Sequence, residues 1–353
     1  MKKAVLTIAL LLALAGIGGF VLVSRVDEAY RGYPGEFQDV SIPAGISPRA
    51  IGQQLVDAGV IRDELTYRLT LFMTDQARHL KAGEFRFDHP MTPREVVDKV
   101  ARGEFDLVNI TFREGLTIGE MATVFEAQGL GTADAFKAAA KNPALIADID
   151  PAAQDLEGYL FPDTYPVSRH IDAPGLIKKM VERFGKALGP DLQEAARARG
   201  YSVRQLVTLA SIVEKETGAS AERPLVSAVY TNRLKIGMGL QCDPTVIYAL
   251  QRAGKYDGNI RKDDLAFDSP YNTYRYAGLP PGPIAAPGLG SLEAAAHPDE
   301  TVDYLFFVSK NDGTHAFAHS LDEHNRNVQK YQVQYFRDKR LAAQREAAAA
   351  HAH

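Results

Sequence analysis

Cysteine is nearly absent from this chain: Cys242 is the only one in 353 residues. A lone thiol excludes an intramolecular disulfide and any cysteine-based metal cluster, and a buried thiol without a role is the expectation for it. An excess of positive charge is missing too, since 40 Lys and Arg face 44 Asp and Glu for a net charge of -4. That balance, with no basic stripe, speaks against a nucleic-acid partner. Low-complexity tracts are confined to an Ala-rich C-terminus. At 46% hydrophobic and 24% charged residues the composition is that of a folded protein. The length leaves room for a sizeable core and about two domains.

Charge is also missing from one stretch. Lys2 and Lys3 precede 21 uncharged residues, Ala4 to Ser24, and Arg25 closes the run. About 20 apolar residues cross the hydrocarbon core of a bilayer. The run exceeds the ~7–15 residue apolar region of a cleaved signal, and no Ala-x-Ala site follows it. Two lysines before and one arginine after favour a cytoplasmic N-terminus. The expectation is therefore a cytoplasmic tip and single-pass anchor over 1–25, with the rest outside the inner membrane. A removed signal peptide is the competing reading.

After a polar linker over 26–37, a weak internal repeat is present. Ile42-Pro-Ala-Gly45-Ile-Ser47, Ile51, Leu55 and Gly59 lie over Phe112-Arg-Glu-Gly115-Leu-Thr117, Met121, Phe125 and Gly129 at a constant offset of 70 residues. Each copy reads as a short strand, a Gly turn, a Ser or Thr cap and an amphipathic helix. Between them Ala82 to Phe87 alternates like a strand, and Thr92-Pro93 opens another helix. From about 132 to 200 the pattern is helical, interrupted by Leu156-Glu-Gly-Tyr-Leu-Phe-Pro-Asp-Thr-Tyr165. Its aromatics and acids suit either a substrate-facing turn or a buried corner.

Ser202 followed by Gln205 is a capping box, so a helix begins near Val203. Val203, Leu206, Val207, Ala210 and Val213 recur at helical spacing, and Gly218 is a plausible C-cap. Glu214 and Glu216 then fall in the last turn of a half-buried helix. The negative end of the helix dipole and an apolar flank both disfavour an ionised carboxylate there. A glutamate kept neutral near pH 7 is what a general acid requires. The competing reading is two solvated helix-end residues, and helical projection puts Glu214 nearer the apolar stripe, so spacing does not choose between them.

Further on, Glu222 to Leu234 reads as a helix stopped by Gly237-Met-Gly239, and Asp243-Pro244 as the cap and first residue of another. Ser269 to Pro283 is a long loop with three tyrosines and an asparagine, too aromatic for disorder and suited to the faces and hydroxyls of a sugar polymer. Tyr304 to Val308 is a buried-strand candidate, and Gly313 to Phe317 its hairpin return. His315, His319 and His324 cross a strand-to-helix junction, which argues against a shared metal. Asp322 to Arg340 is a terminal helix, followed by a flexible tail over 341–353.

Leu209-Ala-Ser-Ile-Val-Glu-Lys-Glu-Thr217, Asn232-Arg-Leu, Leu240-Gln-Cys-Asp-Pro-Thr-Val-Ile-Tyr248, Tyr271-Asn-Thr-Tyr274, Gly278-Leu-Pro-Pro-Gly282 and Ala294-Ala-Ala-His-Pro298 occur in this order. With Glu157-Gly158, Phe161-Pro-Asp-Thr164 and His324-Asn325, they make the chain resemble the MltG (YceG-like) family of endolytic murein transglycosylases over roughly 38 to 335. The resemblance implies an α+β chain. Its parts are the N-terminal membrane helix, a small LysM-like α/β module over 38–108, and a mainly helical, lysozyme-like catalytic domain with a short β element over 109–340. It implies cleavage of the MurNAc–GlcNAc β-1,4 bond of nascent peptidoglycan strands, in the periplasm, beside a peptidoglycan synthase and without cofactor or metal. Two departures stand out. Cys242 occupies a position where threonine is the more frequent residue, and the usual Gly-Asp-Thr turn of the LysM-like part lacks its aspartate in both copies.

In that family the second glutamate of Glu-Lys-Glu-Thr is catalytic, which maps to Glu216. A hydrolase needs two carboxylates flanking the bond, and no partner stands at fixed spacing from Glu216; Glu157 and Asp243 are the reserve carboxylates. A lytic reaction needs only one, because the MurNAc 6-hydroxyl supplies the nucleophile. Tyr271, Asn272 and Tyr274 are the expected substrate contacts. A two-carboxylate muramidase and a non-catalytic, membrane-tethered glycan-binding scaffold are the alternatives.

Overall fold

The computed structural model describes residues 2–350 and divides the chain into two units, Met1–Asn109 with Pro166–His170, and Ile110–Tyr165 with Ile171–His353. Helices dominate, and the strands of the described residues form three two-stranded sheets. This is an α+β chain. Helix α1 (Lys2–Ser24) covers the run expected to cross a membrane. Much of that run's side-chain surface lies outside the described residues, and among the described residues no helix is long and apolar enough to cross a membrane.

In the first unit, β1 (Gln38–Ile42) pairs antiparallel with β2 (Gly83–Phe87), Gln38 facing Phe87 and Ile42 facing Gly83. Their alternation sends Val40, Ile42, Phe85 and Phe87 to one face. Helices α2 (Pro48–Asp57), α3 (Glu64–Thr74) and α4 (Pro93–Arg102) close over that face with Ile51, Leu55, Tyr67, Val96 and Val100. Thr92 and Glu95 complete a capping box at the start of α4. Strands β3 (Leu107–Thr111) and β4 (Thr164–Ser168) pair where the chain passes from one unit to the other.

The repeat seen in the sequence is present in the backbone. Gly45 and Gly115 take φ of 81° and 77°, and Gly59 and Gly129 take 69° and 71°, left-handed values open to glycine. Ser47 caps α2, and Thr117 caps α5 (Ile118–Ala127) in the same way. The second copy belongs to the second unit.

That unit continues through α6 (Ala133–Ala140), the 156–163 corner, and α7 (Ala173–Ala198), which kinks at Gly189 (φ 48°) ahead of Pro190. Then follow α8 (Val203–Glu216), α9 (Arg223–Lys235), α10 (Asp243–Arg252) and α11 (Leu289–Ala296). The antiparallel hairpin β5 (Phe306–Ser309) and β6 (His315–Ala318), then α12 (Leu321–Val328) and α13 (Tyr335–Ala350), end the described chain. Leu156 to Phe161 is a buried corner. The hairpin strand is half-buried rather than buried. The expected tail is helical as far as Ala350, and its remainder lies outside the described residues.

Helix α8 is the axis of this unit, packed against α7, α9, α10 and α11. It differs from expectation in two ways. Every residue from Leu206 to Val213 is buried, so the helix is enclosed all round rather than on one face. It also ends at Glu216, because Thr217 turns extended (φ -137°, ψ 131°) and is itself buried; Gly218 does not cap it. The Ser202–Gln205 capping box is in place. Ser202→Ala is expected to lower stability by about 1 kcal/mol, read as a lower denaturant midpoint with an unchanged slope.

Candidate active site

Three sets of bonds fix α8. At its start Arg204 makes two bonds, 2.8 and 2.9 Å, to Asp150, whose buried carboxylate also accepts from Tyr159. In the middle, the Ser211 hydroxyl accepts from the Ile284 backbone at 3.0 Å. At its end Glu214 accepts from the Gly288 N–H at 3.0 Å and from Arg223 at 3.3 Å, while Lys215 donates to the Gly115 carbonyl. Glu214 is thus committed to the start of α11. That leaves Glu216 as the carboxyl the helix delivers elsewhere.

Glu216 reaches a cleft of about 320 Å³ lined by Tyr230 and Arg233 of α9, by Leu240, Gln241 and Asp243, by Tyr274, and by Phe306, Phe307 and His324. The Tyr230 hydroxyl donates to Glu216 Oε1 at 2.6 Å. Tyr230 is buried, and its ring meets Phe307 edge-on. Cys242, buried and given no role by the sequence, lies beside the same carboxyl. Burial pushes the Glu216 carboxyl above the usual carboxylate range; the Tyr230 hydroxyl and the nearby Cys242 thiol pull it down, and neighbouring Asp243 pushes it up. The net effect is a carboxyl that holds its proton more tightly than a free glutamate.

The loop before α10 brings the second carboxylate. Gln241 is left-handed (φ 50°), and Arg233, buried in α9, donates to the carbonyls of Leu240 and Leu305, both at 2.7 Å. The Thr273 hydroxyl accepts from the Cys242 N–H at 3.0 Å. A sparsely populated backbone conformation held from several sides is common at functional sites. Asp243 is not a helix cap as expected. It stands inside the first turn of α10, and its carboxylate instead accepts from the Tyr274 hydroxyl at 2.6 Å.

Of the six residues singled out by the sequence, Glu216, Asp243 and Tyr274 share this cleft. Asn272 is fully buried; its amide donates to the carbonyls of Leu265 and Phe267 and accepts from Tyr274 N–H, so it shapes the loop. Tyr271 packs edge-on against Tyr248 and faces Arg252. Glu157 is buried beside a separate cavity of about 550 Å³, accepting from the Ile118 N–H and the Tyr248 hydroxyl, both at 3.1 Å. Its carboxyl is pushed up to about 8, burial being the main cause. The three histidines go separate ways: His315 to Glu222, His319 to Asp303, His324 onto the Phe306 ring. Among the described residues no group of His, Cys, Asp or Glu is placed to hold a metal ion.

Against this geometry, the model of the YceG-like family matches residues 40–330. The chain belongs to the YceG-like family. An endolytic murein transglycosylase of Bacillus subtilis is 34% identical over 83% of this chain and 84% of its own length. One from Streptococcus pneumoniae is 29% identical over 93% of this chain, and the match spans 65% of that protein. A crystal structure of a YceG-like protein from Listeria monocytogenes is similar at a TM-score of 0.56 and 31% identity, covering 82% of this chain and 98% of that one. The sequence reading passed over Tyr230 and gave Cys242 no role. One signal was available: a tyrosine inside an apolar helical pattern needs a partner for its hydroxyl.

Proposed function

We propose that the Glu216 cleft cleaves the MurNAc–GlcNAc β-1,4 bond within peptidoglycan strands by lytic transglycosylation, ending nascent strands in 1,6-anhydro-MurNAc. The observation that carries this reading is a carboxyl at the edge of an open cleft, held on one oxygen by the Tyr230 hydroxyl and raised in proton affinity by burial. Neutral Glu216 gives its proton to the glycosidic oxygen as the bond to C1 breaks. The carboxylate left behind takes the proton of the MurNAc 6-hydroxyl as that oxygen bonds C1 and closes the anhydro ring. One group serves as acid and then base, and no water enters.

Asp243 supports this in two ways. Its charge favours the protonated form of Glu216, and it opposes the positive charge that develops at C1. Tyr274, exposed at the cleft, offers a ring to the apolar side of a sugar. The names of the Bacillus and Streptococcus relatives support the substrate and the endolytic mode. Around this core the reading includes an inner-membrane anchor over residues 4–24, a periplasmic catalytic part, a synthase as neighbour and a LysM-like module. The antiparallel strand–helix–helix–strand order β1-α2-α3-β2 supports the last of these.

Mass spectrometry of products from the detergent-solubilised full chain and uncrosslinked glycan strands tests the reaction. Muropeptides one water lighter, ending in 1,6-anhydro-MurNAc, are the expected result. Reducing MurNAc ends would instead mark a two-carboxylate muramidase, for which Asp243 is the carboxylate in the same cleft. Retention on glycan without cleavage would mark a binding scaffold.

A further inference from the structure

Glu216 has to do two opposite jobs in sequence, and a flexible carboxyl does them poorly. The acid step needs the proton on the oxygen that faces the substrate, and the base step needs the same oxygen free. Nothing in the helix itself enforces this, because Glu216 is the last residue of α8 and the chain turns away at Thr217. The restraint comes from two neighbouring side chains. The Tyr230 hydroxyl, from the middle of α9, donates to Oε1 at 2.6 Å. The Cys242 thiol, buried in the loop before α10, stands beside this pair and draws the Glu216 carboxyl toward its ionised form.

Both neighbours are themselves immobile. Tyr230 is 1% exposed, with its ring against Phe307. Cys242 is also 1% exposed, and its backbone N–H is tied to Thr273, whose hydroxyl bonds Thr245 in turn. An oxygen that accepts a short bond is the carbonyl-like oxygen of a neutral carboxyl, so the proton resides on the other one.

We propose, on the reading of Glu216 as the acid and base, that Tyr230 and Cys242 are positioning residues. They lock the Glu216 side chain in one orientation and keep its transferable proton on Oε2. The thiol adds a quantitative consequence. A thiol is a weaker donor than a hydroxyl, so it stabilises the ionised carboxylate less than a serine in its place would. The cysteine therefore extends the pH range over which the acid stays protonated. The other groups facing Glu216 are Asp243 on α10, Arg233 on α9, His315 on β6 and Tyr274. None of them donates a hydrogen bond to it, so the two positioning residues can be varied without touching those charges.

The test is the pH dependence of kcat and KM for anhydro-end formation by the full chain, for Tyr230→Phe, Cys242→Ser and Cys242→Ala. Tyr230→Phe is expected to lower kcat roughly tenfold or more with KM unchanged. Losing a donor to the ionised form raises the carboxyl pKa, so its alkaline limb moves to higher pH. Cys242→Ser supplies a stronger donor and moves the limb to lower pH; Cys242→Ala moves it up. Opposite displacement by serine and alanine is a signature that packing alone does not produce. Superimposable profiles in all four proteins, each folded by thermal melting, would overturn the proposal. If Tyr230→Phe does not fold, the serine–alanine pair decides. Wild-type protein that yields no anhydro ends would overturn the transglycosylase reading, a separate result.

Discussion

Glu216→Gln is expected to leave the fold intact and lower turnover by about two to four orders of magnitude. Glutamine keeps the volume, and its carbonyl still accepts from Tyr230, but it has no proton to give and no charge with which to take one back. Glu214→Gln is the matched control. Its partners are the Gly288 N–H and Arg223, neither of which lines the Glu216 cleft. The expected loss there is in stability, on the order of 1–3 kcal/mol, with turnover nearly unchanged. Anhydro-end formation and thermal unfolding, measured on both variants, separate the two roles. Exchanged phenotypes would assign the chemistry to Glu214.

The second large effect concerns Glu157 and is one of pH. Its carboxyl is buried, with a pKa near 8 in the folded chain, against about 4.3 when unfolded. Between these values the folded state holds a proton that the unfolded state releases. Stability contributed by this group is therefore fully present at low pH and is lost as pH rises from about 4.5 through 8. Glu157→Gln keeps an acceptor for the Ile118 N–H, places an amide N–H where the carboxyl accepts from the Tyr248 hydroxyl, and removes the titration. The variant is expected to be more stable than wild type at pH 8, on the order of a few kcal/mol, and indistinguishable near pH 4.5. Denaturant unfolding at those two pH values checks it. Glu216 titrates in the same sense in both proteins, so the difference isolates Glu157. An equal pH slope in both would mean that the carboxyl stays ionised in the fold.

What the sequence revealed and what it hid divide by range. The start of α8 was legible because a capping box is a four-residue device; so were the Gly45 and Gly115 turns, where local sterics decide. The end of α8 was not, because Thr217 is set by burial. The choice between Glu214 and Glu216 was hidden from periodicity for the same reason. What separates the two in the fold is a backbone N–H at Gly288, 74 positions away, which engages Glu214. Asn272, expected to contact substrate, is buried, and its amide donates to carbonyls of its own segment. Asp243 fits the cap rule and yet bonds Tyr274, 31 positions on. Tyr230 looked like core because it is core, except for one atom.

The all-round burial of α8 has a consequence in time. Amides from Leu206 to Val213 have no route to solvent through local fraying, so their hydrogen exchange proceeds only when the surrounding helices separate. Glu216 stands three residues beyond that segment. The proposed acid is therefore joined to the part of its unit expected to open last, and heat inactivation is expected to follow cooperative loss of that unit rather than early loosening around the cleft.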